Sequence, residues 1–120
     1  MGKGYPTLKI EDWLQSKING DVANKIGTYG LAILAKYHNT KFMVVAPTST
    51  LDISAKNGGD IPIEYREAEE ITKLNGEWLA RPQASALNPV FDVTPASLVD
   101  ALVTEKGVIL EPTEEKICSL

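Results

Sequence analysis

The chain has 120 residues, of which 43% are hydrophobic and 23% charged, and its net charge is −4. That is enough for one core. It excludes disorder of the whole chain, and no apolar run approaches the roughly 20 residues of a membrane-spanning helix. One cysteine, Cys118, and one histidine, His38, exclude an internal disulfide, a thiolate cluster and a His-rich metal site, so no cofactor or metal is expected.

Charge is uneven. Residues 1–41 carry +3 and the remainder −7. With no basic run, nucleic acid is not an expected partner. The first 20 residues hold no apolar core segment, so a secretory signal is not expected and a reducing, cytoplasmic compartment is.

In chain order, Gly2, Gly4 and Pro6 predict an irregular start. Leu8 and Ile10 hint at a strand, and residues 10–14 suit a helical turn equally well. Asn19-Gly20-Asp21 reads as a turn followed by a helix cap at Asp21. Val22, Ile26, Tyr29 and Ile33 then recur at helical spacing on one face, with Leu34 and Tyr37 beside it, and predict a helix over 22–38. Gly27 and Gly30 inside it imply a close approach to the backbone, and Asn39 suits a left-handed end.

Residues 41–47 predict a strand buried on both faces, the kind found in parallel sheets covered by helices. The loop at Thr48, Ser49, Thr50 and Asp52 lies beyond its carboxyl end, where open α/β sheets bind ligands. Asn57-Gly58-Gly59-Asp60 is a turn, residues 61–64 a short edge strand and 67–72 a helical turn. Asn75-Gly76 predicts a hairpin. Thr94 and Pro95 predict a helix start, with Leu98, Ala101 and Leu102 as its stripe and Gly107 just past its end. Val108, Ile109 and Leu110 form a last strand, and the charged residues 111–120 are expected to fray. Pattern alone predicts one α/β domain with a mostly parallel sheet.

One stretch suits a phosphate. A glycine turn leads into the predicted helix, whose first N–H groups are free, with Asn24 and Lys25 in its first turn. The Walker pattern is absent, and a solvated Lys25 beside a capping Asn24 explains the residues more simply, so pattern alone favours the latter. Asn88 and Asp92 could reach a pocket, though Asp92 and Thr94 suit the start of a helix better. His38 reads as a surface charge at a helix end, and Cys118 as an inert exposed thiol.

Asn19-Gly20-Asp21-Val22-Ala23-Asn24-Lys25-Ile26-Gly27-Thr28-Tyr29 resembles the methylthioribose-1-phosphate isomerase family, a relative of the regulatory subunits of the eukaryotic translation-initiation exchange factor. The likeness continues in order through Ser49-Thr50-Leu51-Asp52, Ile61-Pro62-Ile63-Glu64, Asn88-Pro89-Val90-Phe91-Asp92-Val93-Thr94-Pro95 and Thr104-Glu105-Lys106-Gly107-Val108. It implies a partial Rossmann-like, mostly parallel sheet with flanking helices. It also implies aldose–ketose isomerisation of 5-methylthioribose 1-phosphate to 5-methylthioribulose 1-phosphate in methionine salvage, with Asn24 and Lys25 binding the substrate's phosphate.

The family's catalytic pair is a cysteine and an aspartate. The cysteine belongs to an upstream portion, and Cys118 does not match it. The aspartate lies in a Gly-Ala-Asp-Arg stretch, and by ungapped spacing its place here holds Leu14. No catalytic residue is therefore assigned. Residues 1–18 look unrelated to the family, 19–110 correspond to the closing part of its Rossmann-like domain, and 111–120 form a tail. The expectation is a truncated isomerase, inactive alone, with a sugar-phosphate substrate. The alternatives are a non-catalytic module that pairs with itself or with a full-length family member, and an isomerase of another sugar phosphate such as ribose 1,5-bisphosphate.

Overall fold

The computed structural model describes residues 7–9, 15–17, 19–52 and 62–120. The turn expected at Asn57-Gly58-Gly59-Asp60 and the stretch 10–14 lie outside them. The strands are β1 (Thr7–Lys9), β2 (Gln15–Lys17), β3 (Val22–Lys25), β4 (Met43–Val45), β5 (Leu51–Asp52), β6 (Lys73–Leu74), β7 (Glu77–Trp78), β8 (Phe91–Thr94), β9 (Ala101–Thr104) and β10 (Gly107–Leu110). The helices are α1 (Thr28–Tyr37), α2 (Glu69–Thr72) and α3 (Glu114–Cys118), with short 3₁₀ turns at Thr48–Thr50 and Ala96–Leu98.

The predicted helix over 22–38 is a strand, a turn and a shorter helix. Val22 and Ala23 are buried where β3 pairs antiparallel with β8, Val22 opposite Thr94 and Lys25 opposite Phe91. Gly27 ends the turn at φ 105°, a conformation that glycine adopts without a Cβ penalty, and α1 starts after it. No neighbour crowds Gly27 or Gly30: a Cβ on either would meet nothing within 4 Å. The helical spacing of Val22 with Ile26, Tyr29 and Ile33 thus joins a strand residue to the outer face of a helix. Ile33 is 45% exposed and Tyr37 80%, while α1 buries Thr28, Ala32 and Ala35. Small side chains bring this helix close to the sheet and leave its larger apolar ones facing outward. Its predicted end holds, with Asn39 at φ 53°.

The predicted helix after Thr94 is also replaced. Phe91–Thr94 is β8, and only the 3₁₀ turn at Ala96–Leu98 is helical before β9. Leu102 and Ala101 are buried in β9, whose Met43↔Ala101 and Val44↔Leu102 pairs with β4 supply a partner that helical periodicity does not reveal. Gly107, at φ 151°, turns the chain into the antiparallel strand β10 instead of ending a helix. Residues 62–64 are irregular, with one bridge between Tyr65 and Pro89. The tail is ordered: Thr113 accepts a hydrogen bond from the Lys116 amide, and α3 buries Ile117. The Asn75-Gly76 hairpin stands as expected, with both residues at positive φ, and α2 lies within the expected turn.

Two four-stranded sheets result, ordered β1-β4-β9-β10 and β5-β2-β3-β8. Parallel pairing joins β1 to β4, β4 to β9 and β2 to β5, while the other strand pairs are antiparallel. The architecture is α/β as expected, but mixed and not mostly parallel. One apolar core serves both sheets and two helices, joining Val22, Ala32, Phe42, Val44, Leu102 and Ile117. Val44 is fully buried and Met43 and Val45 half-buried, so β4 is the covered strand that its apolar run predicted. Among the described residues no helix is long and apolar enough to cross a membrane.

Gly20 is tightly constrained. Its φ is +88°, and a Cβ there would lie 2.9 Å from the Pro112 carbonyl oxygen, backbone that cannot swing away. Gly20→Ala is expected to lower unfolding stability by about 2 kcal/mol, measured by chemical denaturation, because it combines strain with a clash. A loss below a few tenths would show that the turn relaxes freely.

Candidate functional site

The β3–α1 turn leaves one end of the β3–β8 pair, where Asn24 lies opposite Asp92 and Lys25 opposite Phe91. Opposite residues of an antiparallel pair share a face, and successive residues alternate. Val22, Asn24, Asp92 and Thr94 therefore face α1, and Lys25 points to the other side. Asn24 is buried, and its Nδ2–H donates to Thr28 Oγ1 at 3.0 Å. Thr28 Oγ1–H donates in turn to the Lys25 carbonyl at 2.7 Å. These two bonds lock the backbone of residues 24–28. The exposed Lys25 side chain leaves from that fixed turn. Asn24 and Lys25 are thus adjacent without their side chains converging.

The helix end is not free. The Gly27 N–H donates to Asp92 Oδ2 at 2.8 Å and the Tyr29 N–H to Asp92 Oδ1 at 3.1 Å. One carboxylate from β8 thus takes two of the amides at the start of the observed helix, which begins six residues later than the one predicted from Val22. Asp21, expected to cap this helix, accepts instead from the Ala96 N–H at 2.9 Å and holds the 3₁₀ turn after β8. The two caps are exchanged: the acid before β3 serves the turn after β8, and the acid in β8 serves the helix after β3. Sequence reading placed Asp92 at a helix start but at the wrong helix, since a partner 63 residues away in the chain leaves no local signal. Thr94 caps nothing, and its buried Oγ1 has no hydrogen-bond partner among the described residues. Asn88 donates to the Glu67 carbonyl at 3.0 Å.

The loop after β4 stands apart from Lys25. Leu51 shares a row with Ser16, Val22 and Thr94, and Lys25 lies three residues along β3 and two strands across. Strand rise and spacing put these backbones roughly 14 Å apart. The Thr48 loop is held by the β9–β10 turn instead. Thr48 N–H donates to Glu105 Oε2 at 2.8 Å, and its hydroxyl donates to Glu105 Oε1. Sequence reading missed Glu105, which looked like any charged residue beside a glycine. His38 packs edge-on to Tyr37 at the end of α1, and Cys118 is exposed.

The Thr48 hydroxyl bond, followed by the Thr48 amide, holds the Glu105 carboxyl below the usual glutamate value. A depressed folded value means that the tether contributes above the unfolded value and is lost as pH falls through the folded one. On acid titration followed by NMR, the Thr48 amide signal should move together with the Glu105 carboxyl, at a midpoint below that of an ordinary glutamate. In Glu105→Gln the step should vanish; if it persists, another group holds the loop.

The profile of the Initiation factor 2 subunit family matches residues 17–111. The methylthioribose-1-phosphate isomerase of Nitrosococcus oceani is 57% identical over 102 residues, which are 85% of this chain and 29% of that protein. The crystal structure of 5-methylthioribose 1-phosphate isomerase from Pyrococcus horikoshii OT3 superposes with a TM-score of 0.82 at 43% identity, covering 88% of this chain and 29% of that one. The translation initiation factor eIF-2B subunit delta from A. fulgidus superposes with a TM-score of 0.78 at 37% identity, covering 88% of this chain and 32% of that one. The chain therefore spans less than a third of the length of each of these relatives. With a family match over most of its length and a shared fold at substantial identity, the chain belongs to the Initiation factor 2 subunit family.

Proposed function

We propose that the chain is a portion of a sugar-phosphate isomerase acting on 5-methylthioribose 1-phosphate, and that it contributes part of the phosphate-binding surface of a Rossmann-like domain. Residues 19–110 make up most of the family portion, which the family match extends to 17–111. Identity above one half to an isomerase of that name carries this reading. The locked turn at residues 24–28 supports it, because it presents one ammonium from a rigid backbone. Lys25 meets the phosphate, and Asn24 binds indirectly by fixing the turn through Thr28.

General acid–base chemistry needs its groups within hydrogen-bond reach of the reacting carbons, and the one cysteine, Cys118, is an exposed residue at the end of α3 that does not match the family's catalytic thiol. The chain alone then binds substrate without turning it over. The lone exposed thiol fits a reducing, cytoplasmic setting.

Titration of the purified chain with 5-methylthioribose 1-phosphate should give saturable binding without turnover. Lys25→Ala should weaken that binding by roughly ten- to a hundredfold, the range for loss of a charge-assisted hydrogen bond. Isomerase turnover by the chain, or equal binding by the variant, would sink the assignment.

The outward face of α1 favours a second reading, in which the chain is a docking module for another copy or for a longer family member. Tyr29, Ile33, Leu34 and Tyr37 are all exposed there, and the sequence spaces them as a helix spaces a buried stripe. Sedimentation of the wild-type chain should show association that Ile33→Asp reduces. Monomer at every concentration, with no binding of an apolar dye, would remove this reading.

A further inference from the structure

Of everything around the β3–α1 turn, the Asp92 carboxylate is the least expected beside a phosphate. The end of α1 carries partial positive charge, and its first N–H groups form the obvious anion site of the chain. Asp92 already sits on it, taking the Gly27 and Tyr29 amides with its two oxygens at 2.8 and 3.1 Å. Both bonds are solvent-accessible, so burial does not force a carboxylate here. A neutral side chain would cap the helix nearly as well. What a carboxylate adds is a full negative charge, placed where an incoming phosphate would otherwise dock.

The geometry points to Asp92 as a specificity-determining and positioning residue that keeps the α1 end closed to anions and directs the phosphate to Lys25. This rests on the reading of Lys25 as the phosphate-binding group. Asp92 lies opposite Asn24 in the β3–β8 pair, so its side chain and that of Lys25 leave the sheet on opposite faces. Closing one face assigns the phosphate to the other. The same carboxylate also anchors the far side of the turn that Asn24 and Thr28 lock from within. A single residue therefore fixes both the shape of the turn and the side from which it accepts charge.

An inert cap and an anion-excluding cap respond to mutation with opposite signs. The chain and its variants Asp92→Ala, Asp92→Asn and Lys25→Ala are titrated with inorganic phosphate under ¹⁵N-resolved NMR, and each is melted thermally. In the wild type the Lys25 signals should move and the Gly27 and Tyr29 amides should not. Asp92→Ala should melt at a lower temperature yet bind phosphate roughly three- to tenfold more tightly, with the Gly27 and Tyr29 amides now responding. Asp92→Asn keeps one acceptor and loses the charge and one of the two hydrogen bonds. It should bind more tightly than the wild type even if the alanine variant fails to fold.

Phosphate binding by Asp92→Asn that is no tighter than wild type overturns the proposal. So does a response of the Gly27 and Tyr29 amides in the wild-type protein. If Lys25→Ala leaves wild-type phosphate binding unchanged while the Asp92 variants gain it, the anion-excluding role stands and the Lys25 assignment falls.

Discussion

Antiparallel pairing of β3 with β8 is the constraint on which the rest of this structure hangs. Four residue pairs, from Val22↔Thr94 to Lys25↔Phe91, join segments about 70 residues apart in the chain. A carboxylate beside or within each strand then steadies the segment after its partner. Asp21 precedes β3 and holds the turn after β8, and Asp92 in β8 holds the helix after β3. Loop closure over such a separation costs several kcal/mol of chain entropy by order of magnitude, so the pairing depends on burial of Val22 and Ala23 and on these charge-assisted bonds together. It also sets the site. The turn that carries Lys25 is as rigid as the strand pair and the helix it connects.

The second sheet is organised by β4. It lies between β1 and β9 in parallel register, with Val44 in the middle of the core. Its flank is tied by Asp100. Burial would raise that carboxyl, but the Lys41 ammonium at 2.8 Å and the Phe42 N–H at 2.9 Å outweigh burial and lower it. The same segment thus joins the entry of β4 to the entry of β9, as Glu105 joins their exits. Carboxylates at both ends of one parallel pair do by tethering what a long connection cannot do by itself.

The α1 helix places small residues inward and large apolar ones outward, the reverse of what a helix at the edge of a self-sufficient domain does. Ala32 and Ala35 let it lie close to the sheet, and Ile33, Leu34 and Tyr37 stay exposed. The matched portion covers 29% of each of two relatives that resemble it in sequence and fold.

Whatever has a local physical cause is legible in the chain alone. The Asn75-Gly76 hairpin follows from positive φ at two successive positions, the end of α1 at Asn39 from the same freedom, and the buried strand at β4 from an unbroken apolar run. The ordered motifs point to the family, because a motif is read directly from the chain. Elements whose cause is a distant partner needed the folded molecule. Residues 22–25 and 101–104 carry helical spacing and are strands, because β8 and β4 offer edges that satisfy their backbone amides and carbonyls. Asp21 and Asp92 are both capping residues on inspection, but which helix each caps depends on two strands meeting side by side. A carboxylate's chemistry is legible in one dimension; its partner is chosen in three.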